Sequence, residues 1–188
     1  MQGNLVLIGM MGAGKSAVGH EIARQLGLPH TDADTEIERA AAMTISEIFA
    51  RDGEAFFRDR ESQVLARLLS TGPQVISTGG GAWLQPRNRA MIREHGLAVW
   101  LDVDADTLWE RVRARPTRPL LLTEDPRGTL DRLLAQRRPV YARADLVVPG
   151  MAGDTVEGTA QRVIRIVSQS RPGYFSGTPE RGFSDDRI

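Results

Sequence analysis

The chain has no cysteine, which excludes disulfides and thiolate metal sites. No apolar run approaches the roughly 20 residues needed to span a bilayer. No positively charged segment precedes the short apolar stretch near the N-terminus, so the expected compartment is the cytoplasm. The formal net charge is +0; no overall field draws the molecule to nucleic acid or to an anionic membrane, and its arginines must be read locally. Lysine is nearly missing too. Of 24 Lys plus Arg residues, Lys15 alone is lysine. At 188 residues, 41% hydrophobic and 26% charged, the chain suits one globular domain with one core, expected over 1–170. From Arg171 onward, Gly, Pro, Ser and Arg dominate, and 171–188 is expected to be a disordered tail.

Short apolar runs alternate with helical patterns. Extended pieces are expected at Asn4–Ile8, His30–Asp32, Val75–Thr78, Ala98–Val103 and Asp145–Val148. Helices are expected at about 15–26, 35–42, 45–52, 54–70, 87–94, 105–114, 127–142 and 155–169. Such alternation predicts an α/β fold, a mainly parallel sheet covered by helices. Thr44-x-x-Glu47 and Asp154-x-x-Glu157 read as capping boxes, Gly27 as a C-cap and Pro86 as a first-turn proline. There is no internal repeat.

The stretch that carries chemistry is Gly9-Met10-Met11-Gly12-Ala13-Gly14-Lys15-Ser16. It follows the apolar run Leu5–Ile8 and opens a helix with Val18, Ile22, Ala23 and Leu26 on one face, the context that G-x-x-x-x-G-K-[ST] requires. Glycines let the backbone N–H groups wrap a phosphate, and the helix N-terminus favours the anion. Lys15 would reach the β- and γ-phosphates, and the Ser16 hydroxyl would bind Mg²⁺.

Ligands of open α/β sheets gather beyond the carboxyl ends of the strands. Three such places stand out. Asp32-Ala33-Asp34 follows the second extended piece; one carboxylate suits Mg²⁺ and the other a substrate hydroxyl, or Asp34 simply caps the next helix. Gly79-Gly80-Gly81 follows Val75–Thr78; either something approaches this backbone closely or it is a surface turn. Beyond Ala98–Val103, Arg111, Arg113 and Arg115 lie on a helical pattern, followed by Pro116-Thr117-Arg118-Pro119-Leu120-Leu121. Arg113 and Arg115 read as a solvated face, and Arg118, between two prolines, as the cation of a lid.

Together these residues resemble the shikimate kinases, P-loop kinases of the route to chorismate and the aromatic amino acids. The resemblance runs to about residue 150. It rests on the phosphate loop through Lys15-Ser16, Asp32-x-Asp34, Ile48-Phe49 to Phe57-Arg58-x-x-Glu61, Gly79-Gly80-Gly81, Arg118-Pro119-Leu120-Leu121 and Arg137-x-Pro139-x-Tyr141. It implies a three-layer α/β/α fold on a five-stranded sheet, a substrate-binding subdomain at 35–61 and a lid at 112–125. Shikimate would be held by Asp34, Arg58, Gly79, Gly80, Gly81 and Arg137, with the two arginines on its carboxylate and Asp34 on its ring hydroxyls. ATP would be held by Gly12, Ala13, Gly14, Lys15, Ser16, Ala17, Arg111 and Arg118, with Arg111 stacked on adenine. Mg²⁺ would sit on Ser16 and, through water, Asp32.

Guanidinium forks bind carboxylates bidentately, so Arg58 and Arg137 suit shikimate chemically. Taken singly, Arg58 is also a surface partner for Glu61 at i+3, and Arg137 a helix-end cation. The implied reaction is transfer of the ATP γ-phosphoryl group to the 3-hydroxyl of shikimate, with Lys15, Arg118 and Asp34 as the catalytic groups, in a monomer. Pro149-Gly150 stand where family members often carry Asp-Thr. Two other readings are a gluconate- or nucleotide-type P-loop kinase and a non-kinase nucleotide switch; Arg58, Arg137 and the triple glycine weigh against the first.

Overall fold

The fold is described from a computed structural model, which covers residues 1–113, 121, 123–151 and 153–177. Its centre is β1 (Asn4–Ile8), buried at every position because both faces of a parallel sheet are covered by helices. The other strands are β2 (His30–Asp32), β3 (Val75–Ser77), β4 (Gly96–Asp102) and β5 (Leu146–Pro149). All pair in parallel in the order β2-β3-β1-β4-β5. The register sets Leu5 beside Val75 and Leu97, and Leu7 beside Ser77 and Val99.

The helices are α1 (Lys15–Leu26), α2 (Ala33–Ala41), α3 (Ile45–Ser70), α4 (Pro86–His95), α5 (Ala105–Val112), α6 (Pro126–Tyr141) and α7 (Val156–Ser170). The connection from β1 runs to the β2 edge, whereas every later connection between strands runs the other way. With right-handed crossovers, this puts α1 on one face and α2 to α6 on the other; α7, which follows the last strand, joins α1 by packing on it. The packing agrees: α1 lies against α7, α3 against α4, and α5 against α6. The result is the expected three-layer α/β/α arrangement.

Local signals mostly act as the sequence predicts. Gly27 closes α1 with φ 62°, and Pro86 opens α4. The Thr44 side chain accepts from Glu47 N, while Thr44 N–H donates to Glu47 Oε2 at 2.7 Å. The break expected between 45–52 and 54–70 falls at Gly53, whose φ of 81° and ψ of 174° kink one continuous α3.

Three expectations need correction. Helix α2 begins at Ala33, not Thr35, because Asp32 is its N-cap: Asp32 Oδ1 accepts from Asp34 N at 3.0 Å and Thr35 N at 3.3 Å. Asp34 is therefore a first-turn residue, not a cap. Second, Thr155 caps α7 by accepting from Gly158 N at 3.0 Å; Asp154 makes no capping box because its carboxylate is held elsewhere. Third, the chain packs beyond Arg171. Tyr174 is only 7% exposed; its hydroxyl donates to Asn4 O at 2.7 Å, and its carbonyl accepts from Gln2 N at 2.8 Å. A ring large enough to cover the start of β1 is what a reading of polar composition overlooks.

Among the described residues no helix is long and apolar enough to cross a membrane. Because Tyr174 seals the N-terminal end of β1, a chain ending at Ser170 should melt roughly 10 °C below one ending at Gly177, the consequence of losing a buried aromatic worth about 3 kcal/mol. Tyr174→Phe, which removes one hydrogen bond, should cost about 1 kcal/mol by urea denaturation.

Candidate active site

The loop from β1 to α1 reverses the backbone through Gly9, Gly12 and Gly14, with φ of 138°, 83° and 89°. Gly12 is constrained twice over: a Cβ there would also lie 2.7 Å from Val112 Cγ1 of α5. Gly14 is the N-cap of α1 and supplies no side-chain acceptor, which leaves the first-turn N–H groups to a ligand. Lys15 is 9% exposed, and its ammonium donates to Gly9 O and Met10 O, each at 3.0 Å. The loop's own carbonyls thus stretch the side chain across the concavity.

Ser16 Oγ donates to Asp32 Oδ2, so Asp32 serves α1 with one oxygen and caps α2 with the other. Two oxygen donors therefore meet at the first turn of α1. Among the described residues no group of three or more His, Cys, Asp or Glu could hold a metal. That donor set suits a hard cation taking its remaining oxygens from phosphate and water, as Mg²⁺ does. Arg111 Nη1 reaches Gly12 O at 3.4 Å, which brings it to the phosphate loop. Arg113 is exposed and faces Glu110 at 4.0 Å, consistent with a solvated face. Arg115 and Arg118 lie outside the described residues, as does most of the segment expected to form a lid.

The triple glycine follows β3 and lies beside the phosphate loop because β3 pairs with β1. Each glycine faces a different neighbour, and the outer two are crowded. A Cβ on Gly79 would lie 2.5 Å from Asp34 Oδ1 and 3.1 Å from Glu61 Oε1. On Gly80 it would come 3.5 Å from Met11 N and 3.7 Å from Arg137 Nη1, and on Gly81 2.6 Å from Arg58 Cζ. Alanine would drive a carbon into the carboxylate or the guanidinium at the outer two positions. The rim is therefore a close-approach site and not a surface turn.

Two residues of this rim had no role in the sequence reading. Glu61, read there only as a surface partner, is 2% exposed. It accepts from Arg58 Nη1 at 2.9 Å, while the exposed Glu54 accepts from Arg58 Nη2 at 3.2 Å. Burial pushes the Glu61 carboxyl up, Arg58 pulls it down and neighbouring Asp34 adds to the rise, for a net increase. Burial weakens the Arg58 charge, but Glu61 and Glu54 outweigh it and raise its pKa. The spacing Arg58-x-x-Glu61 signals the pair; only tertiary structure shows it to be buried. The other residue is Tyr141, fully buried, whose hydroxyl donates to Gly80 O at 2.6 Å. Arg137, one helical turn earlier on α6, has no carboxylate partner among the described residues and leans on Met10 Sδ at 3.9 Å.

The phosphate loop shares one cleft of about 600 Å³ with Asp34 and Gly80 of the rim; residues 11–18, Asp32, Thr35, Thr78, Arg111 and the start of α7 line the rest, while Arg58 and Arg137 stand outside this lining. An Asp-Thr pair does line it, as Asp154-Thr155, displaced along the chain from Pro149-Gly150. A glycine-lined concavity at a helix N-terminus thus stands beside a rim carrying the carboxylates of Asp34 and Glu61 and the guanidinium groups of Arg58 and Arg137.

Comparison with known proteins agrees with this reading. The family model for shikimate kinase matches residues 11–168. A shikimate kinase of Cereibacter sphaeroides is 62% identical, over 85% of this chain and 79% of its own length. One from Ruegeria pomeroyi is 58% identical, over 85% and 82%. The structure of shikimate kinase from Acinetobacter baumannii in complex with shikimate superposes with a TM-score of 0.86 at 36% identity, covering 90% of this chain and 95% of that one. The chain belongs to the shikimate kinase family.

Proposed function

We propose that this enzyme transfers the γ-phosphoryl group of ATP to the 3-hydroxyl of shikimate, giving shikimate 3-phosphate and ADP. The observation that carries the proposal is the rim, where each of three successive glycines packs against a different group suited to shikimate: Gly79 against Asp34, Gly80 against Arg137, Gly81 against Arg58. Shikimate has one carboxylate and three hydroxyls. Arg58 and Arg137 supply guanidinium forks for the former, and Asp34 supplies an acceptor for the latter. Arg58 is already satisfied by Glu61 and Glu54. The substrate carboxylate takes the place of Glu54, which is exposed, while buried Glu61 keeps the guanidinium aimed.

Phosphoryl transfer leaves the protein mainly positioning and charge stabilisation. The backbone from Gly12 through Ala17, including Ala13 and Gly14, holds the phosphates, and Lys15 moves from its carbonyls to the transferring group. Ser16, and Asp32 through water, would hold the Mg²⁺ carried with ATP, which would supply positive charge at the phosphate oxygens. Asp34 orients the acceptor hydroxyl. Arg111 stacks on the base, and Arg118 is assigned as the second cation at the transferring group. The segments 35–61 and 112–125 act as substrate subdomain and lid, whose closure keeps water from becoming the acceptor. The proposal includes a monomer, as the family resemblance implies, working in the cytoplasm.

ADP formation from MgATP should depend strongly on shikimate, with gluconate and a nucleoside monophosphate as inactive control acceptors. Asp34→Asn and Arg58→Ala should each lower kcat/KM for shikimate by about a hundredfold or more. Equal ADP release with and without shikimate would sink the assignment. Tyr141→Phe, which frees the Gly80 carbonyl, should raise KM for shikimate several-fold and leave KM for ATP unchanged in steady-state assays, about 1 kcal/mol of lost positioning.

A further inference from the structure

An ion pair between Arg162 and Asp154 braces the turn joining β5 to α7. Arg162, two turns into α7, presents a bidentate fork to Asp154: Nη2 to Oδ1 at 2.6 Å and Nη1 to Oδ2 at 2.7 Å. Nη1 also donates to Pro149 O at 2.8 Å. Asp154 passes the constraint on, since Oδ2 accepts from Met151 N at 2.7 Å and Asp154 N donates to Met151 O at 3.1 Å. One guanidinium therefore secures the end of β5, the middle of the turn and the entry to α7. Both side chains are largely removed from water, at 15% and 11% exposure, where a fork bonded at both oxygens resists exchange with solvent.

The position of this turn bears on the cleft. Asp154 and Thr155 line it beside Arg111, and the Arg111 charge is felt at Asp154. Helix α7 is a fixed reference because Ala160, Val163 and Val167 are fully buried and the helix packs on α1. Helix α1 in turn begins at the phosphate loop. The clamp thus ties the wall of the cleft beside Arg111 to the packed pair of α7 and α1, of which α1 begins at the glycine loop.

We propose that the Arg162–Asp154 clamp is a specificity device of the nucleotide site: Arg162, set back behind the wall, holds it where it meets the nucleoside part of ATP and so governs nucleotide affinity without touching phosphate or acceptor. This rests on the nucleotide-site reading given above. Arg162 is a positioning residue. A lysine there keeps the charge but offers no fork, so it restores the clamp only in part.

The test is calorimetric binding of ADP, and separately of inorganic tripolyphosphate, to the full chain. Arg162→Met should weaken ADP about tenfold and leave tripolyphosphate within about twofold. KM for ATP should rise in parallel, while kcat and KM for shikimate stay put. Arg162→Lys should recover part of the loss. Asp154→Ala should match Arg162→Met, and the double variant should be no worse than either, as expected for two halves of one device. Unchanged ADP binding in folded Arg162→Met and Arg162→Lys overturns the clamp, and so does equal weakening of ADP and tripolyphosphate. Failure of the unaltered protein to bind either probe overturns the nucleotide site itself, and the inference with it.

Discussion

The side-by-side pairing of β1 and β3 is the constraint on which the site depends. Leu7 and Ser77 are in register, and Thr78 closes the pair by donating both its N–H and its hydroxyl to Leu7 O, at 3.2 and 2.9 Å. From this shared end the chain leaves in opposite directions, from β1 into the phosphate loop and α1 on one face, from β3 into the glycine rim and α4 on the other. A cleft at such a switch point follows from topology. The phosphate loop and the glycine rim are neighbours because two strands are.

Around that junction, charge is placed at some cost. Lys15 and Glu61 are nearly buried, and taking a lone charge out of water is expensive. Lys15 is compensated by two carbonyls of its own loop; Glu61 is compensated at Oε2 by Arg58 Nη1, while its Oε1 is buried without a hydrogen bond among the described residues. A buried ion pair adds little net stability compared with apolar packing, so the Arg58–Glu61 pair is better understood as orientation. It keeps a guanidinium pointed at the rim while its outer edge, on exposed Glu54, can exchange partners. The clamp between Arg162 and Asp154 applies the same chemistry to a backbone turn.

Much of this was legible in the sequence because it rests on short-range rules. The five strands, the break at Gly53, the cap at Thr44 and the loop from Gly9 to Ser16 each follow from a few neighbouring residues. Where adjacent residues compete for one role, short-range rules do not choose. Asp32 and not Asp34 caps α2, with one oxygen left over for Ser16, whereas Thr155 caps α7 because both oxygens of Asp154 are taken by Arg162. Tyr174 escaped notice for a related reason: one aromatic in a polar segment is buried only if a distant surface, here Asn4 at the start of β1, is there to receive it.

By itself the sequence determined the phosphate-binding loop and the alternation of strands and helices, because these depend on periodicity, glycine conformations and motif spacing within a few turns of chain; Arg58 and Arg137 were singled out only through the family resemblance. Tertiary structure alone decided that Asp34, Arg137 and Arg58 meet three successive glycines, that Glu61 is buried behind Arg58, and that Tyr141 grips Gly80. These contacts join residues dozens of positions apart, and their existence depends on strand order and on which surfaces are left for side chains to fill.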